Sequence, residues 1–502
     1  VPFLSINETS EHLANFNHRY VLGKDKCQGS ERFLRIKIPN GRLNAAQFRA
    51  IAELSQTYGR GYAEITDRQN IQLHWIDPKN AQAIFIRLNE IGFSTDHGGQ
   101  GIPAAQKGDV RAIISCPVAG LDKHELADAM PIVRQLDSYF DGNPDFLDMP
   151  RKFKISINCC SQNCGNPEVQ DISFTAVKQP SGEVGFMVYV GGTIAAVPQL
   201  ARPLGVIVKQ EDILDVARCD AELFRDCGTR EVKAKARFRY LVDSLGTEKL
   251  REQLEVKLGR KLQTCTDGGL TGEHSEHTGV QPQKQTGYSY VNVPIVSGEL
   301  SSQKMVELAA FAEEYGDGTM CLTSFQNVII ANIPDASVKA AESSLREIGY
   351  PIVGPYLKWS TIACAGNFCG KTLDHPKNRA KEAIQYLQER FGDRIASLKL
   401  NLAFSGCPNG CARHLIADVG FQGTALAVEG KSVPAYNLYI RENSQRPLLG
   451  RLVQRNIPAE KAKYALANLV EVYLANQKSA ELSKFYKNKS TEELQSIIKR
   501  DC

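Results

Sequence analysis

The chain carries two copies of one pattern, and this duplication restricts its fold more than any other feature. GRLNAAQFRAIAELSQTYGRGYAEITDRQNIQLHWI, starting at Gly41, aligns without a gap with GELSSQKMVELAAFAEEYGDGTMCLTSFQNVIIANI, starting at Gly298. Tyr58-Gly59 falls on Tyr315-Gly316, Gly61 on Gly318, Thr66 on Thr323, and Gln69-Asn70 on Gln326-Asn327. The match continues to Ile91-Gly92-Phe93 against Ile348-Gly349-Tyr350. Each copy reads as a helix with apolar residues three and four apart, a glycine turn, a strand and a second helix. Strands are expected over 33–39 and 289–294, just ahead of the copies. Such a duplication implies a pseudo-twofold molecule with a functional site between its halves.

The repeat extends beyond these windows. RKFKISINCCSQNCGNPEVQDISFTAV around Cys160 parallels LKLNLAFSGCPNGCARHLIADVGFQGT around Cys407: a β-rich run, C-x3-C, then another strand. VRAIISCPVAG likewise parallels WSTIACAGNFCG, which makes Cys116 and Cys364 counterparts. Between the copies, 209–286 reads as helices over 211–226 and 231–262, then a Gly-, Thr-, Gln- and His-rich linker over 266–286. The tail is expected to be helical and amphipathic over 458–474 and 479–498. The 502 residues are 42% hydrophobic and 23% charged, a globular balance with material for roughly three domains. The organisation expected is α+β in four segments: 1–95, 96–286, 287–355 and 356–502.

Composition also removes function classes. A net charge of +4, spread evenly, gives no ground for nucleic-acid binding. No window approaches the roughly 18 apolar residues of a membrane helix, so no membrane association is expected. The opening VPFLSINETSEHL has neither the basic nor the apolar region of a secretory leader. The 14 cysteines fall partly in tight groups, a pattern that favours reduced thiols and metal ligation over disulfides. A cytoplasmic or equally reducing compartment is therefore expected, an organelle stroma included if a leader has been removed.

Four of those cysteines carry the main chemical signal. Cys364 and Cys369 form C-x4-C, and Cys407 and Cys411 form C-x3-C. Two close thiolate pairs suit a cubane iron–sulfur cluster, in which each iron takes one soft anionic ligand. A structural zinc ion held by four thiolates has similar spacing and remains the alternative. Pro408 and the ARHLIADVG run place the second pair at an expected helix start, where free N–H groups would temper sulfur charge.

These motifs, with TDRQNIQLHW at 66–75, GDVRAIISCPVAG at 108–120, PRKFK at 150–154 and SGCPNGCARHLIADVGFQG at 405–423, resemble those of the siroheme-containing sulfite and nitrite reductases. The resemblance covers nearly the whole chain. It implies two ferredoxin-like half-domains and two α/β siroheme-binding domains. It also implies a [4Fe–4S] cluster on Cys364, Cys369, Cys407 and Cys411, with the Cys411 thiolate shared with the siroheme iron. The first pair departs from the family's usual C-x5-C by one residue, which requires a tighter loop.

By the same likeness, Arg68, Arg111, Lys152 and Lys154 bind the substrate anion. Chemistry supports this independently, because a small oxyanion reduced by six electrons needs fixed cations to attract it and donors as each oxygen leaves as water. Lysines two apart on a strand also share a face. Arg151 and His74 are further candidates for siroheme contact. No G-x-G-x-x-G fingerprint follows a strand and no flavin domain is apparent, so a separate one-electron donor of the ferredoxin type is expected.

Cys160 and Cys164 repeat the C-x3-C spacing, with Cys159 adjacent and Cys116 in the position of Cys364. A second metal centre is one reading. The favoured one is a relic of duplication, since nothing after Cys116 corresponds to Cys369. The function expected is sulfite reduction to sulfide, with nitrite reduction to ammonia as the alternative. Outside enzymes, an iron–sulfur electron carrier or a zinc-stabilised scaffold has the same cysteines.

Overall fold

The computed structural model describes residues 18–24, 29–96, 108–265, 270, 277–396, 398–442, 447–476, 482–487 and 489–500. Cys27, Cys502 and, within the expected linker, 266–269 and 271–276 lie outside them. The repeat is visible at its first element. Helices Ala45–Tyr58 and Ser302–Tyr315 are both capped from the residue before them: the Asn44 side chain accepts from the Gln47 N–H, and the Ser301 side chain from the Lys304 N–H. Phe48, Ile51 and Ala52 on one, and Met305, Leu308 and Ala309 on the other, are buried at helical spacing. The two helices pack against each other in one core shared by both halves.

Each copy also lends a strand to the other. One sheet runs Gly23–Lys24, Arg32–Lys37, Ile71–Ile76, Tyr62–Ile65, and then Glu299–Ser301 from the second half, with Ser94–Thr95 added on Arg32–Lys37. Its partner sheet runs Gly279–Pro282, Tyr288–Val293, Val328–Pro334, Thr319–Leu322, and then Arg42–Asn44 from the first half. The registers are equivalent: Leu300 pairs with Ala63, and Leu43 with Met320. Gly41 and Gly298, at φ of 64° and 70°, enter these exchanged strands. A Cβ there would lie 2.5 Å from the Leu322 carbonyl oxygen or 2.6 Å from that of Ile65, so both turns require glycine.

Two further sheets flank this centre. In one, Ile155–Asn158 is parallel to Ile172–Lys178, followed by antiparallel Val184–Val190, Arg202–Val208 and Gln263–Thr264. In the other, Thr361–Ala363, Leu402–Ser405 and Val419–Val428 are parallel, followed by antiparallel Lys431–Ile440 and Arg451–Pro458. The correspondence reaches single hydrogen bonds: Lys154 N–H donates to Asp171 at 2.9 Å, and Asn401 N–H donates to Asp418 at 2.9 Å. The duplicated α+β architecture is therefore the one the sequence implied. The helical array between the copies is Ile213–Cys227 and Phe238–Leu258, and the tail helices are Ala462–Ala475, Leu482–Tyr486 and Thr491–Ile498. Among the described residues, no helix is long and apolar enough to cross a membrane.

Candidate functional site

The repeated T-x-x-Q-N segments are the two turns on which the site is built. In each, the glutamine sits at positive φ, 58° for Gln69 and 65° for Gln326. Gln69 Nε2 donates to the carbonyls of Ser115 and Leu322, at 3.2 and 3.1 Å. Gln326 Nε2 donates to those of Ile65 and Ala363, at 2.9 and 3.0 Å. Each glutamine thus ties its own turn to the opposite half and to the residue just before Cys116 or Cys364. The copies diverge between the threonine and the glutamine, where Arg68 in the first corresponds to Phe325 in the second.

Arg68, Arg111, Arg151, Lys152 and Lys154 line one cavity of about 550 Å³ together with Cys364, Cys369, Cys407 and Cys411. Those five cations come from the first half and the cysteines from the second. Ten lysines and arginines line the cavity against three carboxylates, Glu64, Asp67 and Asp96. Arg111 is held by two acids, at 2.5 Å from Asp96 and 3.0 Å from Asp109. Arg68 donates to Gln170 at 3.1 Å and to the Ala112 carbonyl at 2.5 Å, while its buried Nε has no hydrogen-bond partner among the described residues.

Lys152 and Lys154 are enclosed by protein yet open to the cavity, and neither ammonium has a hydrogen-bond partner among the described residues. Burial, reinforced by the nearby Arg237 cation, pushes Lys152 down to about 8. Burial and the adjacent Lys152 push Lys154 well below the ordinary lysine range. Uncompensated cations packed this closely are costly, and a bound polyanion would offset that cost.

His74 lies elsewhere. It is fully buried behind the wall, with Nε2 2.9 Å from Glu64 and 3.2 Å from Gln72, and its ring stacks on Phe368 at 3.6 Å between centroids. Its geometry supports the cysteine loop that contains Phe368 and orients Glu64, which does line the cavity. Burial alone would raise the Glu64 carboxyl, but the Lys377 ammonium 3.4 Å away and His74 bring it down to about 2.

The cysteine loops differ from the sequence reading in one respect. Cys407 to Cys411 lies in consecutive turns rather than at a helix start. Gly410 at φ 64° and Arg413 at φ 55° interrupt any helical path. The N–H donors expected of a helix end are supplied by these turns instead: Gly406 N–H donates to the Cys364 sulfur at 3.1 Å, and the Asn409 N–H faces Cys407. Arg413 lies inside the cysteine motif, where spacing alone assigns it no role. It donates to the carbonyls of Asp67 at 3.2 Å and Ser324 at 2.7 Å, clamping the loop to both T-x-x-Q-N turns. A motif-internal arginine beside ligand cysteines was the available signal. Lys377, buried and donating to the Ser297 carbonyl, had none, because its partners are remote in sequence.

The short C-x4-C loop closes through a 3-10 turn over Gly366–Phe368, with Gly366 at φ 56°. A Cβ at Gly366 would lie 2.4 Å from Pro376 Cδ. Gly366→Ala combines that overlap with roughly 1–2 kcal/mol of left-handed backbone strain. It is expected to lower cluster iron and acid-labile sulfide per chain by at least about half, with far-ultraviolet circular dichroism retained. Full cluster content in this variant would remove Gly366 from the ligand geometry.

The residues fit the cofactors of such a site. Four thiols share a cavity wall, with backbone donors at the Cys364 and Cys407 sulfurs, and a surplus of cations suits a tetrapyrrole rich in carboxylates. The profile described as nitrite and sulphite reductase 4Fe-4S domain matches residues 106–262 and 359–501. That described as nitrite/sulfite reductase ferredoxin-like half domain matches 25–91 and 281–348. The chain is 32% identical to an assimilatory ferredoxin-dependent nitrite reductase of Haloferax mediterranei, over 94% of this chain and 84% of that one. It is 30% identical to a ferredoxin sulfite reductase of Mycolicibacterium paratuberculosis, over 86% and 75%. The solved structure of the Mycobacterium tuberculosis NirA protein superposes with a TM-score of 0.86 at 26% identity, covering 95% of this chain and 89% of that one.

Proposed function

Because the chain belongs to the nitrite and sulphite reductase family, an oxidoreductase family with siroheme and [4Fe–4S] cofactors, we propose that it reduces sulfite to sulfide with electrons from a ferredoxin. The observation that carries this reading is the pair Lys152 and Lys154, two side-chain amines in the cation-lined cavity without hydrogen-bond partners among the described residues. When bound, the siroheme and the cluster would supply an iron at which the anion is reduced and a store of single electrons.

This chain's residues do the rest. Cys364, Cys369, Cys407 and Cys411 would hold the cluster, Cys411 also reaching the siroheme iron, and Arg151 would meet a siroheme carboxylate. Lys152, Lys154 and the Arg68 guanidinium would take the anion's oxygens. Arg111, already shared between Asp96 and Asp109, adds positive potential and fixes the wall more than it adds a free donor. Lys152, with its ammonium brought down to about 8, gives up a proton more readily than an ordinary lysine, as a departing oxygen requires.

Ferredoxin as donor is supported by the names of the relatives and by the absence of a dinucleotide fingerprint from the sequence. Nitrite is the second reading, favoured by the nitrite reductases of Haloferax mediterranei and Leptolyngbya laminosa at 32% and 33% identity. The purified protein is expected to show siroheme bands in the visible spectrum and to release sulfide from sulfite with reduced ferredoxin. Cluster absorption alone, without siroheme bands, would return the chain to the electron carriers.

A further inference from the structure

The tightest convergence of metal-binding side chains is not at the cavity. Among the described residues, ligand atoms of Cys116, Cys160 and Cys164 all lie within 4.8 Å of one another, and so do those of Cys116, Asp122 and His277. His277 Nε2 lies 3.3 Å from the Cys116 sulfur and 3.3 Å from the Cys164 sulfur. Cys160 accepts from both other thiols and from the Gln162 N–H. All four side chains are buried. We propose that Cys116, Cys160, Cys164 and His277 form a structural zinc site, separate from the catalytic cofactors.

The geometry matches one ion rather than a cluster. A tetrahedral zinc with sulfurs at about 2.3 Å and nitrogen at about 2.0 Å has ligand edges of roughly 3.5–3.8 Å. The two sulfur–nitrogen distances from His277 to Cys116 and Cys164, 3.3 Å each, are within a few tenths of an ångström of that edge. Four irons would hold their cysteine sulfurs further apart. The second shell is also in place, with His277 Nδ1 3.0 Å from the Tyr290 hydroxyl, a contact that fixes which ring nitrogen faces the sulfurs. His277 itself sits at φ 49°, and Asn163, inside the C-x3-C loop, also at φ 49°. The surrounding fold thus holds uncommon backbone conformations at both the imidazole and the loop.

Duplication explains where the site comes from. Cys116, Cys160 and Cys164 occupy the positions of Cys364, Cys407 and Cys411, and the first half has no counterpart of Cys369. Its place is taken by an imidazole from the connector leading into strand Gly279–Pro282 of the second half. Three cysteines and a histidine form a closed zinc set, whereas the cluster keeps four thiolates. Binding would release the remaining thiol protons to solvent as three Zn–S bonds form, with no change of oxidation state. The ion would join the first α/β unit to the second ferredoxin-like half, where Tyr290, Cys321 and Ile329 pack around the same cysteines.

The test is elemental analysis of the holoenzyme, prepared without chelators from zinc-supplemented medium. About one zinc per chain is expected beyond the cofactor iron, with X-ray absorption at the zinc edge showing three sulfurs and one nitrogen. His277→Ala and Cys160→Ser are each expected to lose the zinc while keeping the visible spectrum of the iron cofactors. The absorption measurement on the unmodified protein stands even if a variant fails to fold. A chain without zinc, a disulfide among the three cysteines, or iron with extra acid-labile sulfide at these residues would overturn the assignment. None of these readouts depends on which anion the enzyme reduces.

Discussion

Cys411→Ser is expected to lower six-electron turnover by at least about two orders of magnitude and to change the visible spectrum of the loaded enzyme. Cys411 lines the cavity beside Lys152, and its side chain is exposed to that space, as the proposed shared thiolate would have to be. Serine keeps the size of the side chain but offers a hard oxygen where soft iron requires sulfur. Loss of a group that merely orients a metal ligand costs 10–100-fold, and loss of a shared ligand should exceed that. Stopped-flow reduction of the anion, with iron and sulfide counted on the same sample, measures both effects. Wild-type turnover and spectrum in the variant would take Cys411 out of the shared position.

Lys154→Asn is expected to move substrate preference toward nitrite by about an order of magnitude in the ratio of kcat/KM values. Sulfite brings three oxygens and more negative charge near neutral pH, whereas nitrite binds through nitrogen and leaves two oxygens. Of the four cations, Arg111 is already neutralised by Asp96 and Asp109, while Lys154 has no hydrogen-bond partner among the described residues. One charge-assisted hydrogen bond to a sulfite oxygen contributes about 1.5–3 kcal/mol, roughly tenfold or more in rate. Equal losses on both anions would make Lys154 a source of general positive potential and not of selectivity.

The pseudo-twofold fold was legible because the repeated residues do structural work that tolerates few substitutes. Gly41 and Gly298 abut an opposing carbonyl, and Gln69 and Gln326 each bridge two halves from a left-handed turn. Those constraints keep the copies in register long after their surfaces diverge. The reciprocal strand exchange was not legible, since Arg42–Asn44 and Glu299–Ser301 have ordinary strand sequences and their pairing is decided by tertiary packing.

At the site, cysteine spacing and K-x-K alternation were local signals, and the cavity gathers the residues they picked out. The helix expected after Cys407 failed because proline, asparagine and glycine in succession favour turns over a first helical turn. His74 lay next to motif residues yet faces Glu64 and Phe368, a direction set by its neighbours on the sheet. His277 could not be paired with the first-half cysteines from spacing, because it lies 113 residues beyond Cys164 in a low-complexity connector.

The most direct test of the central claim is steady-state reduction of sulfite and nitrite in parallel, by the wild-type enzyme with one reduced ferredoxin. A sulfite kcat/KM above that for nitrite, with sulfide as product, is the expected result. A strong preference for nitrite, with ammonia as product, would contradict it.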